Sequence, residues 1–286
     1  MKLKENLISL FSSGGKELKT VWKVEKDGKV GFLAGTAHFF PYRFQKSLQS
    51  YIQSARVIIF EGPLDQKGMD QVVERGSQEG GAANLYGALD AQTIEKIKSH
   101  LDQFLAESRS ISSFFPFPVQ SLDPVVVYFQ NSRPWMAFFR IWTHFLRERG
   151  WKFSVDLEAL KIATRLGKEI VFLETIEEQI AALEGIPLER FIHFFKRIDQ
   201  WEELAKANVR LYLQGELKTL LACTEGFPSR CPCIVERRDP VMFSRMKKFF
   251  ENGEATAFIG TPHIPGILSR FEGEGYAIRQ VGKGEG

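Results

Sequence analysis

The sequence predicts an α/β fold: a mixed central β-sheet built from two βαβ-type halves with a large helical insertion. Two observations carry this. A strand-like run ending in Gly-Thr-x-His, then a helical pattern and another strand-like run, occurs near both ends of the chain, as FLAGTAHFF at residues 32–40 and AFIGTPHIP at 257–265. Between them, long stretches repeat apolar residues at helical spacing. The 286 residues suffice for one large core, which predicts a single domain over 1–286, with its core at about 21–282 and the insertion at about 85–150.

Each element follows from local pattern. VWKVEK and KVGFLA are strand-like and are joined by Asp27-Gly28, which predicts a hairpin over residues 21–34. Its second strand runs straight into GTAH. Phe44, Leu48, Tyr51, Ile52 and Ala55 share one helical face, and RVIIFE then reads as a buried strand ending in Glu61, with Gly62-Pro63 as the breaker. Residues 91–148 read as helical: AQTIEKIKSHLDQFLAES is amphipathic, and PWMAFFRIWTHFLRERG opens with Pro134 at a first helical position. Trp135, Phe138, Phe139, Trp142 and Phe145 recur at helical spacing, which predicts a helix buried against the sheet, with a ligand groove as the rival reading. VDLEALKIATRLG, with Gly167 as its C-cap, precedes the strand KEIVFLE. Thr175 and Glu178 suit a capping box for TIEEQIAALEG. A helical stretch at roughly 188–221, a helix from Asp239-Pro240 to Gly253, the strand ATAFIG, a helix around 265–272 and the strand YAIRQV complete the order.

Composition excludes several classes. A net charge of +3, with Lys and Arg interspersed among Asp and Glu, argues against nucleic acid or an anionic membrane as partner. No run approaches the ~18–20 apolar residues of a membrane span; the richest, Trp135 to Leu146, is broken by Arg140 and His144. The N-terminal MKLKENLISLFSSGGKELKT is too interrupted for a signal peptide, and the expectation is a cytoplasmic protein. Cys223, Cys231 and Cys233 are odd in number, and their C-x7-C-x-C spacing is no standard zinc pattern. They read as loop thiols in a reducing compartment. Oligomeric state is left open.

Sites in open α/β sheets gather at the carboxyl ends of strands, where both GTxH motifs fall. A histidine there suits metal binding or proton transfer near neutral pH. Taken singly, either histidine reads as structural. Two matched strand ends are difficult to explain by packing, which needs neither histidine nor a repeated threonine. Glu61, ending the strand after the first motif, would reach the same edge, and His38, His263 and Glu61 together form a candidate ligand set for a divalent transition metal. His100, His144 and His193 lie on amphipathic helices and read as structural or surface residues.

At this point the chain resembles the TraB/PrgY/GumN group, which includes the TIKI metalloproteases, over roughly residues 29–282. FLAGTAHFF followed by ARVIIFE is similar to the family's opening, a GxxH loop before a strand ending in glutamate. FSVDLEALKIATRLGKEIVFLETIEEQIAAL is similar to its central block, and RLYLQGELKTLL to the segment before the third. IVERRDPVMFSRMKKFF with ATAFIGTPHIPGILSRFEGEGYAIRQV resembles the closing signature. The resemblance implies an erythromycin-esterase/ChaN-like fold and a hydrolase-type site, with manganese or cobalt dependence attributed to the TIKI members. It maps the motif histidines to His38 and His263, the strand-end acid to Glu61, a central acid to Asp156, and an acid–base pair to Glu236 and Arg237. One departure is Arg238, where the family usually has Asn. Without the resemblance, Asp156 reads as a helix N-cap, Glu174 as structural, and Glu236-Arg237 as a solvated pair.

The expected function is a metal-dependent hydrolase acting on a peptide or a small amide or ester. His38, His263 and Glu61 would hold Mn2+ or Co2+, with Zn2+ not excluded; Glu236 or Glu61 would be the base, and Arg237 would stabilise negative charge. One rival keeps the site without the metal, as an esterase-like enzyme. Another is a non-enzymatic module binding a peptide, a signal or haem, with the Trp135–Phe145 helix lining its pocket.

Overall fold

The computed structural model describes residues 15–77, 85–108, 129 and 132–282. Most of the N-terminal segment read as lacking a signal peptide, and the middle of the predicted helical stretch 91–148, lie outside the described residues. β1 (Val21–Lys26) and β2 (Lys29–Thr36) form the expected hairpin, with Asp27 and Gly28 both at positive φ. After α1 (Gln45–Ser54) come β3 (Val57–Phe60) and α2 (Gln66–Gly76). The insertion contributes α3 (Ala91–Ser108) and α4 (Pro134–Glu148), and the chain returns through α5 (Val155–Arg165) to β4 (Glu169–Phe172). Then follow α6 (Ile176–Glu184), α7 (Leu188–Lys196), α8 (Trp201–Gln214), α9 (Leu217–Cys223) and α10 (Asp239–Asn252). β5 (Ala255–Gly260), α11 (Ile264–Gly273) and β6 (Ala277–Gln280) close the fold.

The sheet is mixed, in the order β4-β3-β5-β2-β1-β6. β4, β3, β5 and β2 run parallel, whereas β1 is antiparallel to both its neighbours. The last strand of the second half thus lands beside the hairpin, outside the parallel block. β3 and β5 are buried along their whole length, as befits parallel strands covered on both faces. Their side chains alternate between two cores. Ile58, Phe60 and Phe258 face α1, α5 and the helical insertion, while Val57, Ile59, Ala257 and Ile259 face α10 and α11. Each fully buried large side chain contributes about 1.5–3 kcal/mol.

Two local expectations need correction. Trp135, Phe138, Trp142 and Phe145 of α4 are buried and Phe139 partly so, but among the described residues the rings they meet outside α4 lie on other helices or a turn, and none on the sheet. Trp142 meets Phe194 and Trp201, and Phe138 meets Phe191 and Phe194. Helix rows at 3.6 spacing show that a face is buried, not what covers it. Cys231 and Cys233 form a disulfide, which corrects the reading of all three cysteines as thiols; Cys223 is free. Among the described residues no helix is long and apolar enough to cross a membrane.

Candidate functional site

β2 and β5 are neighbours in parallel register, with Gly35 beside Ile259 and Thr36 beside Gly260. The two GTxH motifs, far apart in sequence, therefore leave the sheet side by side. The first is clamped from beneath. Gly35 N–H donates to Thr20 O (2.7 Å), and Gly35 O accepts from Thr20 Oγ1 (2.9 Å) and from the buried Tyr212 hydroxyl (2.7 Å). Burial raises the Tyr212 pKa, so it stays a donor.

The loop beyond is tied to the start of α5. Phe40 and Phe153 exchange backbone hydrogen bonds, and Val155 N–H donates to Ala37 O (3.1 Å). This brings His38 Nδ1 to 3.0 Å from Asp156 Oδ2. Ser154, not Asp156, caps α5, accepting from Leu157 N–H at 3.2 Å. The Asp156 carboxylate is thus free for the imidazole. Attraction to that carboxylate, opposed by burial, raises the His38 pKa to about 9, although the side chain is 67 % exposed at the rim.

Glu61, just past β3, lies at the centre. Its Oε1 accepts from Gly260 N–H, and its Oε2 from Arg238 Nη2 at 3.0 Å. A Cβ on Gly260 would come within 2.9 Å of Glu61 Oε1, so glycine permits this approach. Burial pushes the Glu61 pKa up. Attraction to the His263 imidazole, to Arg238 and to His38 outweighs it, with help from Gly260 N–H, and holds it at about 2.

Strand pairing continues past β4, where Glu174 N–H donates to Glu61 O (2.7 Å), and so carries the Glu174 side chain to the same place. Arg238 forks onto it, Nε to Oε1 at 2.8 Å and Nη2 to Oε2 at 2.5 Å. Burial lowers the guanidinium pKa, but the hydrogen bonds and charges of Glu174 and Glu61 more than offset it, and Arg238 stays charged. Its Nη1 faces His263 Nε2 at 3.4 Å. The other ring nitrogen of His263 is 2.6 Å from Asp239 Oδ1, with both residues buried. Asp239 opens α10 and packs on Gly266 of α11, where a Cβ would come within 1.9 Å of Asp239 Oδ2.

The arrangement is two carboxylate-anchored imidazoles and a doubly held guanidinium around one ionised glutamate. The chain matches the model of the TraB/PrgY/gumN family over residues 20–280. It belongs to that family. No curated protein matches it.

Of the residues proposed from the sequence, His38, Glu61, Asp156 and His263 are brought together. Glu236 and Arg237 are not: both are exposed on the turn before α10, and Arg238, the position of departure from the family pattern, holds Glu61 and Glu174 instead. Asp239 and Glu174 join the site too. Asp239 was readable only as a helix start, and Glu174 only as a strand end. His100, His144 and His193 stand on α3, α4 and α7, outside this network. A groove of about 760 Å3 meets the site at Glu174, and the histidines do not line it.

Proposed function

We propose that this family member hydrolyses an amide or ester bond at the centre formed by His38, Glu61, Arg238 and His263. One observation carries the reading: two imidazoles, each anchored at Nδ1 by a buried carboxylate, act on the same glutamate. An imidazole so anchored presents Nε2 to a substrate in a fixed orientation, the arrangement required for proton transfer.

The chain's own groups divide the work. His263 Nε2 takes a proton from water as the water oxygen bonds to the carbonyl carbon, and Asp239 stabilises the imidazolium that forms. Arg238, aimed by Glu61 and Glu174, donates to the carbonyl oxygen as it becomes negative. His38 is held protonated near neutrality by Asp156, and gives its proton to the leaving nitrogen or oxygen as the bond to carbon breaks. Two histidines in different environments thereby serve as base and acid.

A metal-dependent version has its own support. Both Nε2 atoms and the Glu61 carboxylate have the donor chemistry that Mn2+, Co2+ or Zn2+ accepts, and Asp156 and Asp239 are the partners that metal-bound histidines usually keep. His38, His263 and Glu61 would hold the ion, which supplies Lewis-acid activation of water when bound. Against a ready-made site, both Glu61 oxygens already accept hydrogen bonds and Arg238 stands against His263 Nε2. No group of three such ligands is gathered among the described residues. Arg238→Ala separates the versions: it slows metal-free hydrolysis, whereas a metal site gains affinity for Mn2+ in calorimetry.

The test of the hydrolase reading is a screen of peptides, anilides and esters on wild type, His38→Ala and His263→Ala, with elemental analysis and exhaustive chelation alongside. Undiminished turnover by His38→Ala would sink it.

A further inference from the structure

Cys231 and Cys233 lie in the segment that carries Arg238 and Asp239 into the site, and the proposed hydrolysis does not use their disulfide. A disulfide stabilises mainly by restricting the unfolded chain, and the gain grows with the length of the loop it closes. This loop holds one residue, Pro232. The link adds little to global stability by that route, and its effect is local.

That local effect runs straight to the site. Cys231 O accepts from Ile234 N–H and from Val235 N–H (both 3.0 Å), and Pro232 O accepts from Arg237 N–H (3.0 Å). Val235 O in turn accepts from Arg238 N–H (3.1 Å) and Asp239 N–H (3.0 Å). Ile234, the residue after Cys233, takes Arg238 Nη1 on its carbonyl at 3.4 Å. Two carbonyls inside the disulfide ring therefore begin a ladder of hydrogen bonds. It ends on the guanidinium that holds Glu61 and Glu174, and on the residue whose carboxylate holds His263.

The two cysteines are unequally placed. Cys231 is 3 % exposed, whereas Cys233 is only partly buried. A thiolate from outside therefore meets Cys233 first, with Cys231 as the leaving group. Arg230, one residue before Cys231, has its Nε and Nη1 buried without a hydrogen-bond partner among the described residues. Burial lowers its pKa, and the charges of Glu236, Glu225 and Asp239 oppose this. A cation with spare donors next in the chain favours a thiolate at Cys231, and a better leaving group speeds exchange.

We propose that Cys231–Cys233 is a thiol-exchange site, opened by a small thiol such as glutathione, and that opening it loosens Arg238 and Asp239. One thiolate bonds to Cys233 Sγ as the bond between the two cysteines breaks, and the electron pair of that bond passes to Cys231. A second thiolate attacks the sulfur of the attached thiol and frees Cys233. Two thiols are thereby oxidised to one disulfide, Cys231 and Cys233 gain two electrons, and the two protons end on their sulfurs. The closed form keeps the site assembled. The exchange and the loosening stand without any assigned reaction; only their effect on turnover rests on the hydrolase reading.

The test uses the full, folded chain in native buffer with reduced or with oxidised glutathione. Thiol labelling with mass spectrometry reads the state of Cys231 and Cys233, and hydrogen exchange follows the amides of Arg237, Arg238 and Asp239. The pair is expected to open in the first buffer and close in the second. Those amides should exchange about tenfold faster when it is open, with the amides of β3 and β5 unchanged. Cys231→Ser/Cys233→Ser should show the open rate in both buffers; circular dichroism checks its fold, and the wild-type arms decide alone if it is not folded. Cys223→Ser should respond as wild type does. A pair that never closes, or that stays closed in reduced glutathione, overturns the proposal, as does equal exchange at Arg237, Arg238 and Asp239 in both states. Faster exchange on opening in a protein that hydrolyses nothing leaves the exchange site standing and defeats the hydrolase reading. Turnover that His263→Ala abolishes, but that ignores the state of the pair, does the reverse.

Discussion

The two GTxH motifs leave neighbouring strands with nearly the same four residues, yet their histidines end in opposite surroundings. His38 is 67 % exposed at the rim, and His263 is 3 % exposed. The third residue of each motif accounts for much of this. Pro262 suits the first turn of a helix, and Thr261–His263 form a short 3-10 turn that runs directly into α11. The imidazole is thereby trapped between α11 and the start of α10. Ala37 imposes no such turn. The chain bends at His38 and Phe39 on its way to the bridge between Phe40 and Phe153, and His38 remains at the mouth. Matched sequence has thus produced matched chemistry, a carboxylate on each Nδ1, in one wet and one dry site.

The largest effects should come from the histidines themselves. If the buried one is the base and the rim one the acid, His263→Ala and His38→Ala each lower turnover by about 10²–10⁴-fold, the usual contribution of a positioned acid or base. The double variant should be scarcely worse than the poorer single, because the two act in one event. Independent multiplication of the losses would show that they serve separate sites.

Stability should divide the pair differently. Asp239→Ala leaves a buried imidazole nitrogen without its partner and should cost about 1–3 kcal/mol in denaturant unfolding. Gly266→Ala forces a methyl group into the Asp239 carboxylate and should cost about as much, ~1–3 kcal/mol, by overpacking. Asp156→Ala breaks a pair open to solvent, and should cost about 0–1 kcal/mol. Equal losses at Asp156 and Asp239 would remove the distinction between rim and interior.

The sequence carried the skeleton of this site because strands, turns and caps are local. The Asp27-Gly28 hairpin, the run RVIIFE ending in Glu61, and the Thr175/Glu178 capping box all stand where pattern placed them. Orientation was not local. Among Glu236, Arg237 and Arg238, the inward residue is decided by the phase of the turn into α10, which nothing in three consecutive charges specifies. Asp156 read as a cap because an acid before a helix usually caps it. The hydroxyl of Ser154 makes that bond instead, two residues earlier, and leaves Asp156 free for His38. Asp239 needed knowledge of the α10–α11 contact, and the partners of the α4 aromatics needed the positions of α7 and α8. These are tertiary facts.

The smallest predicted effect bears most directly on the rim histidine. In metal-free protein the His38 imidazole should titrate near pH 9 by NMR, and Asp156→Asn should bring it back toward 6.5. The sign follows from the direction of the shift. A folded pKa above the unfolded value means that the native state binds the proton more tightly, so the His38–Asp156 attraction contributes stability fully below pH 6.5 and loses it as pH rises through about 9. Wild type should therefore lose a little stability across that interval that the Asp156→Asn protein does not, and solvent screening at the exposed ring keeps the difference small. Added salt should shrink it further, since exposed charge pairs are screened within about 10 Å at 0.1 M. A difference that ignores salt would place His38 in the interior with His263, and the contrast between the two motifs would collapse.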